Sequence, residues 1–128
     1  MKKKRIFLIE DDLPTIEVYK MGMEQAGFDV SVATTGQEAL EKIGEMNPEN
    51  RPDLILLDII LPDMNGIDIL KDIRKHENTK DIRVFILTNY TSDELEKKGL
   101  LLKSQRYLLK TDYKPRELAS FIEEELAE

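Results

Sequence analysis

With 128 residues, the chain is long enough for one ordinary domain with a real core. Hydrophobic residues at 41% and charged residues at 35% place it among soluble globular proteins. The net charge of −7 argues against a nucleic-acid or anionic-membrane surface, either of which needs a basic face. No cysteine is present, which excludes disulfides and thiolate metal sites and points to a reducing compartment, the cytoplasm. The start, Met1 to Arg5, is basic, but only Ile6 to Ile9 follow as an apolar run, far short of a signal peptide or a membrane-spanning helix. A single histidine, His76, leaves no material for triads or metal clusters that need several.

Arg5 to Glu10 reads as a buried strand running into three acids, Glu10, Asp11 and Asp12. Pro14 opens a helix through about Ala26, because proline is tolerated in a first turn. Ile16, Tyr19, Met23 and Ala26 share one face of it, Asp12 is its expected N-cap, and Gly27 is a stop signal. Phe28 to Ala33 alternates as a second strand, with Phe28, Val30 and Val32 on one side. Thr35 and Glu38 have the spacing of a capping box, ahead of a helix with Ala39, Leu40, Ile43 and Met46 inward.

After a polar loop, Asn47 to Pro52, four apolar residues from Leu54 to Leu57 run straight into Asp58. A run this short between helical segments predicts a strand buried on both faces. Pro62, Asn65 and Gly66 mark the loop behind it, where Asp63 and Asp68 are expected to be solvated. Gly66 begins a helix with Ile67, Leu70 and Ile73 inward, ending near His76, a surface residue at the helix C-terminus. Arg83 to Leu87 is a fourth buried strand with Thr88 at its end. Ser92 or Thr91 caps a charged helix carrying Leu95. Tyr107 to Leu109 is a fifth strand ending at Lys110, and Pro115 opens a last helix with Leu118, Phe121, Ile122 and Leu126 on its core face.

Strand and helix alternate five times, with no repeat and no linker, so residues 1–128 read as one α/β domain. That alternation predicts a parallel, doubly wound sheet covered on both faces. Ligands in such sheets sit outside the carboxyl ends of the strands. Glu10 and Asp11, Asp58, Thr88 and Lys110 all stand at those ends, so the fold gathers them on one rim. Three carboxylates together repel one another and raise their pKa values, which a hard cation would relieve. Mg²⁺ suits a few carboxylates plus water and phosphate oxygens, with Mn²⁺ as a substitute. A lysine and a hydroxyl beside the acids suit a phosphoryl group, and an aspartate can itself be the nucleophile that forms an acyl phosphate.

The chain resembles the receiver domains of two-component response regulators, including the stand-alone chemotaxis type, over residues 5–127. The resemblance rests on Glu10-Asp11 after the first strand, Asp58 with Pro62 and Gly66 after the third, Thr88, and Tyr107 three residues before Lys110. It implies a CheY-like, flavodoxin-like (β/α)5 fold with strand order 2-1-3-4-5. Asp58 is then the phosphate acceptor. Asp11 is a direct metal ligand, Glu10 acts through water, and the backbone carbonyl of Ile60 completes the protein ligands. Thr88 swings toward the phosphate, Tyr107 rotates inward behind it, and Lys110 binds a phosphate oxygen. The donor is a sensor histidine kinase or a histidine phosphotransfer protein, and output is by protein contact. The chain acts as a monomer or as a dimer formed on activation.

Two positions depart from the family pattern. The residue after the threonine is usually small and is Asn89 here, placed to crowd the phosphate or to hydrogen-bond it. The lysine is usually followed by a cis-proline, and here Thr111 follows. A cis bond before a residue other than proline costs about 3 kcal/mol, which argues against that geometry here.

Three other functions fit the residues less well. A Mg²⁺-dependent aspartyl-phosphate phosphatase usually carries a second acid two residues after the nucleophile, where this chain has Ile60. A flavodoxin-type cofactor binder would not place Glu10-Asp11-Asp12 where a phosphate must sit. A phosphate-independent scaffold has no need of the full acceptor set. The expectation is therefore a switch that catalyses only its own phosphorylation and dephosphorylation, and no outside reaction.

Overall fold

The computed structural model describes residues 3–102 and 105–127. Met1, Lys2 and Glu128, parts of the expected basic start and of the expected domain, lie outside the described residues. Five strands are present: β1 (Arg5–Ile9), β2 (Asp29–Ala33), β3 (Leu54–Leu57), β4 (Arg83–Thr88) and β5 (Arg106–Leu109). They alternate with α1 (Leu13–Gln25), α2 (Gly36–Gly44), α3 (Gly66–Lys75), α4 (Ser92–Lys97) and α5 (Pro115–Leu126). All strand pairings are parallel and the sheet order is β2-β1-β3-β4-β5.

Burial explains the order. β3 is buried at every position, and β1 and β4 at every position but their first, as strands covered on both faces must be. β2 and β5 are partly exposed edges. Alternate residues divide the core into two layers. Phe7, Ile9, Ile55, Leu57, Val84 and Ile86 face α2, α3 and α4. Ile6, Leu8, Leu54, Leu56, Phe85 and Leu87 face α1 and α5. At ~25 cal/mol per Å² of apolar surface, each fully buried Leu or Ile contributes roughly 2 kcal/mol.

Local signals act where the sequence places them, with instructive shifts. Asp12 caps α1 by accepting the Thr15 N–H at 3.1 Å. Gly27, at φ 97°, ends that helix: its N–H bonds Glu24 O and the Phe28 N–H bonds Met23 O. The left-handed backbone there favours glycine. Met23 is fully buried, whereas Met21 is 53% exposed. Thr35 caps α2, but the Glu38 carboxylate takes the N–H of Thr34 instead of the Thr35 N–H that closes a capping box. Thr91, and not Ser92, caps α4, in a full capping box with Glu94. In α3 Ile69 and Ile73 are fully buried and Leu70 nearly so, while Ile67 is only partly buried against the core. The i, i+4 row from Ile69 to Ile73 therefore faces the sheet, and Ile67 lies at its margin. His76 caps the end of α3, with its Nε2 3.3 Å from Asp72 Oδ2. No cis peptide bond occurs among the described residues, so Lys110–Thr111 is trans.

Candidate functional site

Backbone pairing carries two acids one step past the strand ends. The Glu10 N–H donates to Ala33 O at 3.0 Å, and the Asp58 N–H donates to Ile9 O at 3.0 Å. Both side chains are thereby fixed at the C-terminal rim. Glu10 is 1% exposed and Asp58 8%. Lys110 opens a 3-10 turn, Lys110–Asp112, directly after β5. It reaches across the rim, with its Nζ 3.2 Å from Asp58 Oδ2 and ion-paired to Glu10 Oε1.

The remaining oxygens are held by main chain. Asp58 Oδ1 accepts the Ile60 N–H at 3.1 Å, and Glu10 Oε2 accepts the Asp12 N–H at 3.1 Å. The loop behind Asp58 is closed on itself. The Gly66 N–H meets Ile59 O at 2.6 Å, and Ile60 and Asn65 form an antiparallel bridge. Gly66 is required by closeness: a Cβ there would lie 2.7 Å from Asp58 O.

Burial pushes the Glu10 carboxyl up to about 7; the neighbouring Asp58 charge adds to the rise, and Lys110 opposes it. Desolvation, more than the mutual repulsion expected from the sequence, is therefore the leading cause. For Lys110 burial pulls downward, but the close contact with Glu10 and the charges of Asp58 and Glu10 outweigh it and hold the ammonium above its ordinary range. A cavity of about 320 Å³ opens over this group, lined by Asp11, Asp58, Ile60, Asn89, Tyr90 and Lys110 among others.

The donor set fits a hard divalent cation. One oxygen each from Glu10, Asp11 and Asp58 lies within 4.8 Å of the others. Glu10 Oε1 is buried with no well-aligned hydrogen bond, only the ammonium beside it. Such an atom, in an all-oxygen cluster, is what Mg²⁺ prefers.

The rim does not gather every residue expected there. Asn89 is exposed at the cavity wall. The Thr88 hydroxyl is buried and accepts the Tyr90 N–H at 3.1 Å; among the described residues it makes no hydrogen bond to Asp58 or Lys110. The Tyr107 hydroxyl accepts the Leu102 N–H at 2.7 Å and donates to Leu100 O at 3.1 Å, on the connection from α4 to β5. Tyr90 and Thr15 line the cavity and were not foreseen from sequence. An aromatic two residues past Thr88 was the available signal for Tyr90. Asp63 is exposed, as expected, and in addition accepts the N–H groups of Gly36 and Gln37 at 2.8 and 2.9 Å.

A family model, the response regulator receiver domain, matches residues 6–123. The chain belongs to that family. The DNA-binding response regulator MtrA of Mycolicibacterium paratuberculosis is 33% identical over 118 residues, covering 92% of this chain and 49% of that protein. The CpxR homolog of Haemophilus influenzae is 36% identical over 118 residues, 92% of this chain and 48% of that one. The chain thus spans about half the length of the curated relatives it matches. Among solved structures, the chemotaxis response regulator CheY4 of Vibrio cholerae superposes with a TM-score of 0.81 at 25% identity, covering 98% of this chain and 100% of that one. Receiver domains are the phosphorylation-dependent switches of two-component signalling and are not enzymes in the ordinary sense. They bind Mg²⁺ at an acidic pocket and are phosphorylated by histidine kinases. No helix among the described residues is long and apolar enough to cross a membrane.

Proposed function

We propose that residues 1–128 act as one receiver unit whose phosphoacceptor is Asp58. The observation that carries this is the convergence at Asp58. Its carboxylate ends a buried strand, touches Lys110 at 3.2 Å, and lies within 4.8 Å of ligand oxygens on Glu10 and Asp11. An Asp58 oxygen attacks the phosphorus of a partner's phosphohistidine. The P–N bond breaks, its electron pair stays on the imidazole nitrogen, and a P–O bond forms, giving an aspartyl phosphate. The same site returns the carboxylate when water attacks that phosphate, so the only catalysis is on the chain itself.

Lys110 is already at the acceptor and pairs with a phosphate oxygen once the charge arrives. Asp11 would hold the cation directly, Asp58 and the Ile60 carbonyl would complete the protein ligands, and Glu10 would act through water. When bound, Mg²⁺ neutralises charge on the phosphoryl oxygens. Asn89 and Tyr90 set access from the mouth of the cavity. Thr88 and Tyr107 carry the response outward, biasing an existing two-state equilibrium. Output goes to a protein partner in the cytoplasm.

Intact mass after incubation with acetyl phosphate or phosphoramidate, with and without Mg²⁺, tests the reading on wild type and Asp58→Asn. The expected result is a metal-dependent gain of one phosphoryl group in the wild type only. A gain that persists in Asp58→Asn, or no gain under any condition, removes Asp58 from the role.

A further inference from the structure

Asp63 sits at the tip of the loop between β3 and α3, exposed, yet both oxygens of its carboxylate are engaged by main chain. One oxygen accepts the Gly36 N–H and the other the Gln37 N–H, at 2.8 and 2.9 Å. These are the first two amides of α2. The third, on Glu38, goes to the Thr35 hydroxyl at 3.1 Å, and the Ala39 N–H makes the first bond of the helix, to Thr35 O at 3.1 Å. The first turn of α2 is therefore fully satisfied, half of it from a different part of the chain.

A second contact reinforces the first. The Met64 side chain lies over Gly36 so closely that a Cβ there would be 2.3 Å from Met64 Cγ. The pair Asp63-Met64 thus grips Gly36 by charge and by packing. Two charge-assisted hydrogen bonds at a helix N-terminus also favour the carboxylate form, and Asp63 is held below the ordinary aspartate range by those same two amides.

The loop being gripped carries the site. Ile60 lies three residues before Asp63, and its N–H is already bonded to Asp58 Oδ1. Ile59 and Leu61 are anchored in the core, but Ile60 itself is 37% exposed and its carbonyl direction depends on the loop around it. Internal closure comes from the Gly66 N–H on Ile59 O at 2.6 Å, the Ile60–Asn65 bridge and the Leu61 N–H on Met64 O at 3.2 Å, and all three stay within the loop and the start of α3. Asp63 is the charged tie from that tip to another element of the fold.

We infer that Asp63 is a positioning residue, whose carboxylate pins the acceptor loop to α2 and so fixes the main-chain carbonyl of Ile60 for the cation. The inference rests on the site reading proposed above. It separates Asp63 from a simple helix cap, because α2 already has its own cap in Thr35.

The test uses the full chain and Mg²⁺ alone, with calorimetric titration and thermal melting. Variants are Asp63→Ala, Asp63→Asn, Thr35→Ala and Asp58→Asn. Outer groups that orient metal ligands typically change affinity 10-fold or more when removed, so Asp63→Ala should weaken Mg²⁺ binding roughly ten-fold. Asp63→Asn keeps one acceptor oxygen and should fall between Ala and wild type, even if the Ala variant folds poorly. Thr35→Ala should lower the melting temperature while binding Mg²⁺ within about two-fold of wild type, because it weakens α2 without releasing the loop. Amide resonances of Gly36, Gln37 and Ile60 should shift together in Asp63→Asn. Unchanged affinity in both Asp63 variants, or equal loss in Thr35→Ala, overturns the inference and leaves Asp63 a cap. Failure of the wild type to bind Mg²⁺, or binding untouched by Asp58→Asn, overturns the site reading and the inference with it.

Discussion

Lys110 touches both Glu10 and Asp58 at the C-terminal rim, whereas Thr88 on β4 and Tyr107 on β5 are bonded to backbone elsewhere. The contrast comes from what each side chain can do without a ligand. A carboxylate buried at 1% exposure has little water to turn to, so Lys110, its one ion-pair partner among the described residues, is held against it. A hydroxyl is both donor and acceptor, and it settles on the nearest unpaired main-chain group. For Thr88 that group is the Tyr90 N–H, and for Tyr107 it is a donor and an acceptor on the Leu100–Leu102 segment. On the proposed function, the charged half of the site is thus assembled before any phosphate arrives, and the hydroxyl half would have to exchange hydrogen bonds in order to respond.

The harshest way to break the charged half is Lys110→Ala. Removing one partner of a buried pair leaves the acids uncompensated and costs about 3 kcal/mol. For a domain of this size the melting temperature should fall by roughly 10 °C near pH 8 without metal. Phosphoryl uptake from acetyl phosphate should fall at least 10²-fold, on the order of what a lost electrostatic stabiliser removes. The stability loss should shrink near pH 5, where Glu10 takes a proton and one unpaired charge disappears. Equal losses at both pH values would show that Lys110 acts by packing alone.

A smaller effect comes from pH on the unmodified chain. Glu10 has a folded-state pKa of about 7 against an ordinary value of 4.5. Between those values the native state holds a proton that the unfolded chain has released. Raising the pH through this window therefore favours unfolding, and the cost is fully developed above about 7. The shifted exposed carboxylates, Asp12, Glu38, Asp63, Asp81 and Glu94, are all lowered, so their contributions are lost only at more acidic pH. Lys110 is raised from 10.5, and its contribution is lost only above the window. Urea midpoints in chelator should decline from about pH 5 to about pH 8, and Glu10→Gln should flatten that slope. A midpoint that rises across the window in the wild type would mean that Lys110 keeps Glu10 ionised throughout.

The same contrast marks what the sequence could tell. Five strand-forming runs, four of them ending in chemistry-bearing residues, made the fold and the rim legible, because strand ends are set by backbone pairing and burial. Glu10, Asp58 and Lys110 could be placed that way. Tyr107 could not: its place in a strand is visible, but its hydroxyl partners lie on a connection whose path the sequence does not encode. Asp63 was harder still. An acid between Pro62 and Met64 in a polar loop looks like any solvated loop acid, and its partners stand 27 and 26 residues earlier. Ile69 was the inward residue missed in α3, since Ile67, Ile69, Leu70 and Ile73 leave two apolar stripes to choose between; Ile67 packs against the core but is only partly buried.

The mildest perturbation is on the hydroxyl half. Tyr107→Phe keeps the ring against the core and removes only the hydroxyl that joins the Leu102 N–H to Leu100 O. Both groups are part-buried, so water replaces the lost partners incompletely. The loss should be about 1 kcal/mol, or roughly 4 °C in melting temperature. Amide exchange at Leu102 should quicken, because its N–H has lost its acceptor. Phosphoryl uptake and Mg²⁺ affinity should stay within about two-fold of wild type, since the charged half is bonded without Tyr107. If uptake fell ten-fold or more instead, the two halves would already be coupled before phosphate arrives. The rim would then be one cooperative unit and not a preassembled acid site beside a separate latch.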